Sequence, residues 1–205
     1  MSKVVSSIGV YGGSFDPVHF GHLRSTLEVR YQLELEQLRF IPAGNPPHKD
    51  GPRVSAADRV NMLELATDGN PDVVIDQRET RRQKPSYTID TLQELQRELP
   101  HSGLTLIIGT DQFNVFDTWH RWQDLLAVAR IAVMERPGEV HSEFANQLLQ
   151  GEHASKITLC PVTQLDISST RIRNYRRAGT DIRFLIPYAV HQYIIEHELY
   201  TGFTH

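Results

Sequence analysis

The sequence predicts an open parallel β-sheet covered by helices on both faces, and three observations carry that prediction. Its most strand-like runs, such as Leu104-Thr105-Leu106-Ile107-Ile108 and Ile131-Ala132-Val133-Met134, are apolar without period-two alternation, so both faces of each strand are buried. Segments with helical spacing separate these runs, as the crossovers between parallel strands require. The loops with unusual chemistry all follow strands at one rim, where such sheets bind ligands. Together these features describe a doubly wound, Rossmann-like α/β fold. Residues 1–205 are expected to form a single domain, with a small C-terminal helical part from about residue 168 onward.

The elements follow in order. An apolar run from Val4 to Tyr11, broken by Ser6, Ser7 and Gly9, reads as the first strand. A glycine-bearing turn leads into a helix expected to bury Phe20, Leu23, Leu27 and Tyr31. Leu38 to Ile41 is a second strand, ending in the turn-rich loop Pro42 to Lys49. Ser55 caps a helix carrying Ala56, Val60, Leu63 and Ala66. Val73-Val74-Ile75 is a third strand, followed by a polar loop with Arg78, Arg81, Arg82 and Lys84. Ser86-Tyr87-Thr88 opens a helix that buries Ile89, Leu92, Leu95 and Leu99. The fourth strand stops at Gly109-Thr110-Asp111 and the fifth at Arg136-Pro137-Gly138. A short helix from Glu143 to Leu149 and a strand from Ile157 to Leu159 come next. Ser168-Ser169-Thr170 then caps an arginine-rich helix that stops at Gly179, and a last helix runs from about Tyr188 to Glu198.

Bulk composition narrows the function. A chain of 205 residues can bury a substantial core. A net charge of −4 opposes broad binding to nucleic acid, yet leaves room for a local basic pocket. The single cysteine, Cys160, excludes a disulfide framework and a cysteine-based zinc site. Met1-Ser2-Lys3 enters a strand pattern directly, and no run of about 18 apolar residues occurs, so no membrane association and a cytoplasmic location are expected.

Two stretches carry chemistry. The first is Gly12-Gly13-Ser14-Phe15-Asp16-Pro17-Val18-His19-Phe20-Gly21-His22. Strand, glycine turn and helix start form a geometry in which backbone N–H groups gather around an anion. The spacing is neither that of a dinucleotide fingerprint nor that of a P-loop. His19 and His22 could be hydrogen-bonded core histidines, half of a zinc site lacking a third ligand of standard spacing, or donors to phosphate oxygens. Their place beside a glycine turn at a helix start favours the last. The second stretch is Ile167-Ser168-Ser169-Thr170-Arg171-Ile172-Arg173. Its hydroxyls can cap a helix, but Arg171 and Arg173 in the first turn oppose the helix dipole. A bound polyanion would remove that conflict. Arg176 and Arg177 read as solvated surface.

These two stretches resemble the T/HxGH box and the ISSTxxR element of a nucleotidyltransferase superfamily. Within it, the chain is similar to the bacterial nicotinate-nucleotide adenylyltransferase family. Supporting stretches are Asn45-Pro46-Pro47-His48-Lys49, Ser86-Tyr87-Thr88-Ile89-Asp90-Thr91, Ile108-Gly109-Thr110-Asp111 and Thr118-Trp119-His120. Ser14 stands where the family often has threonine, and His120 where tyrosine is also seen, so only the backbone role of His120 carries over. The resemblance implies transfer of the adenylyl group of ATP to nicotinate mononucleotide. It implies His19, His22 and Arg173 as catalytic residues. ATP would meet Gly12, Ser14, Phe15, His19, His22, Gly109, Asp111, Ser168, Ser169, Thr170 and Arg173. The mononucleotide would meet Gly13, Ser14, Asn45, Lys49, Thr88, Trp119, His120 and Arg136, with Trp119 either stacking on the pyridine ring or serving as a core aromatic.

Mg²⁺ would arrive with ATP, and no dedicated metal site is expected. The partners are the two nucleotides alone, and the assembly a monomer or small homo-oligomer. Alternatives are an adenylyltransferase acting on nicotinamide mononucleotide or pantetheine phosphate, a cytidylyltransferase, or a non-catalytic nucleotide-binding regulatory module. A fragment of an aminoacyl-tRNA synthetase would need a longer and less acidic chain.

Overall fold

The apolar runs become six strands: β1 (Ser7–Gly13), β2 (Gln37–Pro42), β3 (Val73–Ile75), β4 (Gly103–Gly109), β5 (Arg130–Glu135) and β6 (Ile157–Pro161). In the computed structural model, which describes residues 6–44, 53–135 and 138–202, they form one sheet in the order 3-2-1-4-5-6. Every pair is parallel, and the register places Val10 between Arg39 on β2 and Leu106 on β4. The strand order reverses between β1 and β4, which opens a crevice beyond their carboxyl ends.

The helices are α1 (Phe20–Gln32), α2 (Ala56–Thr67), α3 (Thr88–Glu98), α4 (Thr110–Phe113), α5 (Trp122–Val128), α6 (Glu143–Gln150), α7 (Ser169–Arg177) and α8 (Tyr188–Glu196). Neighbouring strand residues face opposite sides, and two cores result. Ile8, Val10, Leu106, Ile131 and Val133 pack with α3, α5 and α6 through Leu92, Leu125 and Leu148. Leu38, Phe40, Ile107 and Ala132 pack with α1, α2, α7 and α8 through Val29, Leu63, Ile172 and Val190. Both faces are covered, which explains the absence of alternation in the strands. Among the described residues, no helix is long and apolar enough to cross a membrane.

Three elements depart from the sequence-based expectation. α1 does not bury the face of Phe20, Leu23, Leu27 and Tyr31. Phe20 and Tyr31 are exposed, and the buried residues are Ser25, Thr26 and Val29. The two hydroxyls can enter the core because Ser25 donates to Gly21 O and Thr26 to His22 O, each at 2.8 Å. α5 is a helix with no start signal in its sequence. Its N-cap is Arg121 in the left-handed region, with no side-chain cap. The last helix also ends sooner than expected, at Glu196.

The C-terminal part is stitched to the phosphate-loop side of the sheet. Ile172, Ile182, Ile186, Val190, Ile194 and Tyr200 share one cluster with Phe15 and Val18. Tyr193 donates to Asp58 and accepts from Asn61 on α2, both at 2.9 Å. The Tyr200 hydroxyl donates to Asp16 Oδ1 at 2.7 Å, a buried bond across 184 residues. Replacing Tyr200 by Phe leaves a buried carboxylate oxygen short of a donor, at a cost of about 1–3 kcal/mol. Thermal melting of Tyr200→Phe should show Tm lowered by roughly 2–10 °C for a chain of this size.

Candidate active site

The turn after β1 is held from beneath. Phe15 adopts φ 48°, a left-handed conformation that its surroundings must enforce. Its ring is buried edge-on against Tyr11 and His22 and tilted against Phe40. What Phe15 offers to a nucleotide is therefore backbone. Arg59, 2% exposed, reaches from α2 and donates through Nη1 to Ser14 O at 2.9 Å, while its Nε is buried without a hydrogen-bond partner. Burial pushes the guanidinium below its ordinary pKa, and the charge of Asp16 opposes that. The Asp16 carboxylate accepts from Tyr200 and from Arg53 N, each at 2.7 Å. Burial and the Asp16 charge both push the Tyr200 hydroxyl up.

His19 is the N-cap of α1, and its Nδ1 accepts the His22 N–H at 3.3 Å. The neutral ring then carries its proton on Nε2, leaving that edge as a donor. The two imidazoles stack with centroids 3.6 Å apart. A Cβ at Gly21 would stand 2.9 Å from His19 Nδ1 and 3.4 Å from Ile167 O, so the start of α1 and the chain entering α7 approach closely.

Direct bonds join the two motifs. Ser169 Oγ donates to Pro17 O at 2.8 Å, and Arg173 Nη1 donates to Asp16 O at 2.6 Å. Arg173 Nη2 also reaches Thr170 Oγ1 at 3.1 Å. Ser168 is the cap of α7, accepting from Arg171 N at 3.2 Å. The two arginines resolve their conflict with the helix dipole differently. Arg171 turns outward to Asp166 and Tyr175, whereas Arg173 crosses to the β1–α1 loop. His19, His22, Ser168, Ser169, Thr170 and Arg173 are thus assembled at one place.

A cavity of about 380 Å³ opens beside this place. Gly12, Gly13, Ser14, Thr88, Trp119 and His120, all expected to meet substrate, line it. Trp119 belongs to both of its alternatives: its ring packs against Phe116 in the core at 5.5 Å and still lines the cavity. His120 lies over the Tyr87 ring at 4.3 Å. α3 starts at Thr88 after Tyr87, which supplies no side-chain cap. Gly109 and Asp111 sit at the end of β4, outside the cavity wall. Asp111 is exposed, with Oδ2 accepting from Gln112 at 3.0 Å. Asn45, Lys49 and Arg136 lie outside the described residues.

Among the lining residues not assigned from the sequence are Glu79, Ser86 and Gln112. Ser86 has a buried hydroxyl without a hydrogen-bond partner, and its place in the Ser-Tyr-Thr stretch was the available signal. Glu79 gave none, because an acid inside an arginine-rich loop reads as surface charge. Two arginines of that loop are structural: Arg78 pairs with Asp76, Glu94 and Glu98, and Arg82 with Glu94. Among the described residues, no group of three or more His, Cys, Asp or Glu side chains is placed to hold a metal ion.

Comparison with known proteins shows the family. A family model described as Cytidylyltransferase-like matches residues 10–175. A protein of Hydrogenovibrio crunogenus named probable nicotinate-nucleotide adenylyltransferase is 43% identical, covering 94% of this chain and 97% of the relative. One of the same name from Pseudomonas fluorescens is 44% identical, covering 94% and 96%. Among solved structures, the Plasmodium falciparum nicotinic acid mononucleotide adenylyltransferase complexed with NaAD superposes with a TM-score of 0.75, covering 95% of this chain and 97% of that one. At 19% identity that likeness is one of fold. The chain belongs to the cytidylyltransferase-like family, and within it to the nicotinate-nucleotide adenylyltransferases.

Proposed function

We propose that the protein transfers the adenylyl group of ATP to nicotinate mononucleotide, giving nicotinate adenine dinucleotide and pyrophosphate. A 5′-phosphate oxygen of the mononucleotide attacks the α-phosphorus of ATP. The bond from that phosphorus to the bridging oxygen breaks, and its electron pair leaves with pyrophosphate. The observation that carries this reading is the direct bonding of two helix starts, one with His19 and His22 and one with Arg173, beside an open cavity.

Such a reaction asks the protein for alignment and charge neutralisation rather than covalent help. His19 and His22 donate to the ATP phosphates at the start of α1, where the helix dipole also favours an anion. Arg173, with Ser168, Ser169 and Thr170, holds the departing pyrophosphate. Their present protein partners, Asp16 O, Pro17 O and the α7 turn, hold these groups in place until phosphate oxygens arrive. Gly12, Gly13 and Ser14 cradle nucleotide phosphate, and Gly109 and Asp111 meet the adenosine side. Trp119 stacks on the pyridine ring, while the N–H groups at Thr88 and His120 receive the nicotinate carboxylate. Lys49 adds positive charge for the phosphates, and Asn45 and Arg136 bind the mononucleotide. Mg²⁺ enters on the triphosphate, held mainly by its oxygens and water. We take the reaction to be cytoplasmic and the protein to be a monomer or small homo-oligomer that binds no nucleic acid.

Pyrophosphate release should be seen with ATP plus nicotinate mononucleotide and be slower with the nicotinamide form. No release with either would overturn the reading, and preference for the amide would overturn the nicotinate assignment. His22→Ala should lower kcat by ~10²-fold, the effect of removing one transition-state donor. Near-normal kcat would show His22 to be structural. Gly12→Ala probes the cavity alone, because the nearest protein atom to an added Cβ is Ile41 O at 4.0 Å. It should fold normally and raise KM for ATP, the nucleotide assigned to Gly12, by about tenfold, as when a methyl group is forced into a fitted space. Steady-state kinetics beside a melting curve would check it.

A further inference from the structure

Among the described residues that line the cavity, Glu79 is the one carboxylate, and neither lysine nor arginine lines it. Glu79 is fixed from two sides. A Cβ at Gly44 would stand 2.1 Å from the Glu79 carbonyl oxygen, so the end of β2 approaches this backbone as only glycine allows. Its side chain is held as well: Oε1 accepts from Thr91 Oγ1 at 2.7 Å, and Thr91, 1% exposed, lines the same cavity. Thr91 in turn accepts from Arg82 Nη1 at 2.8 Å. The wall therefore runs from the end of β2, beside the glycine turn where Gly13 pairs with Pro42, across Glu79 to the first turns of α3.

Burial pushes the Glu79 carboxyl up, and Asp76 and Glu94 push the same way, while the Thr91 bond and Arg82 oppose them. Holding a carboxylate in this setting costs stability, so its presence calls for a use. A pyridine mononucleotide has two anionic ends, the phosphate and the nicotinate carboxylate. Its centre carries the ribose diol and the quaternary ring nitrogen. An acid in the wall repels both ends and attracts the centre.

We propose that Glu79 is a substrate-binding residue that accepts the ribose hydroxyls of the mononucleotide. The inference rests on the adenylyltransferase reading. A carboxylate can accept two O–H groups at once, and such charge-assisted bonds are strong. The Thr91–Arg82 chain behind it fixes the carboxylate without drawing it out of the wall.

Glu79→Gln tests this, because glutamine can still accept from Thr91 but lacks the charge. KM for nicotinate mononucleotide should rise ~10-fold or more, with KM for ATP within about twofold of the original. Equilibrium titration with nicotinate mononucleotide and its 2′-deoxy analogue isolates the ribose contact. The deoxy analogue should bind more weakly to the original protein and lose little further on Glu79→Gln, the sign of direct coupling. An equal deoxy penalty in both proteins would overturn the assignment. So would an unchanged KM in a variant whose parent turns over normally, with the adenylyltransferase reading left intact. A parent that neither binds the mononucleotide nor releases pyrophosphate would overturn both.

Melting across pH gives a readout free of substrate. A carboxyl whose folded pKa is raised supports the fold fully below its ordinary value of 4.5 and loses that support as pH rises through the raised value. Glu79→Gln should therefore melt higher than the parent at pH 8, with the difference shrinking below pH 4.5. A variant less stable than the parent at pH 8 would make the carboxylate a structural tie and overturn its role in binding.

Discussion

The Arg173–Asp16 and Ser169–Pro17 bonds are the constraint on which the site depends. They join two helix starts that lie about 150 residues apart in the chain. Each start carries roughly half a positive elementary charge, and bringing two together is unfavourable without a counterion. The polar groups bonded at the two starts include carbonyl oxygens, the His19 ring and hydroxyl groups. These acceptors are neutral, and a charged group beside them, the Asp16 carboxylate, lies 3.9 Å from Arg173 Nη1. A polyphosphate would meet both starts at once, and it brings the negative charge that the carbonyls lack.

Asp16 explains why this junction stays in register. It is 3% exposed and is met by Tyr200 from the C-terminal end, by the Arg53 backbone before α2, and by Arg173 from α7 at its carbonyl. Three separate parts of the chain are thereby referred to one residue of the loop. Buried charge is poor value for stability alone, and the unpartnered Nε of Arg59 adds to that cost. Positioning is the physical gain that remains. Displacing the loop by an ångström would move His19, His22 and Arg173 relative to one another, and phosphoryl chemistry is sensitive at that scale.

The strands were legible because burial on both faces requires continuous apolar runs, and few other structures produce them. Both end motifs stood out in the sequence because their glycines, histidines and arginines are unusual at a strand turn and a helix start, and the folded chain bonds the two together. α1 misled because Ser25 and Thr26 satisfy their hydroxyls with carbonyls four residues back, so polar residues occupy the buried stripe. Apolar periodicity cannot register that. α5 was missed because seven residues starting after a left-handed Arg121 offer neither length nor cap. Glu79 was missed for a third reason: its surroundings are made by Gly44 and Thr91, which only the folded chain brings to it.

The charge pattern also bears on how a chain of net charge −4 would hold polyanions. Carboxylates elsewhere are consumed in ties: Asp76 with Arg39 and Arg78, Asp72 with Arg30, Glu94 with Arg82. These pairs neutralise one another locally, and Arg82–Glu94 ties the β3–α3 loop to α3. At the phosphate loop the ratio differs, since the Asp16 carboxylate is shared between the guanidinium groups of Arg59 and Arg173. An excess of positive charge is thus kept where two helix starts already point, in a partly buried place where screening by salt is weak. The overall charge and the local excess are thus separate quantities, and the local one acts on a ligand at this place.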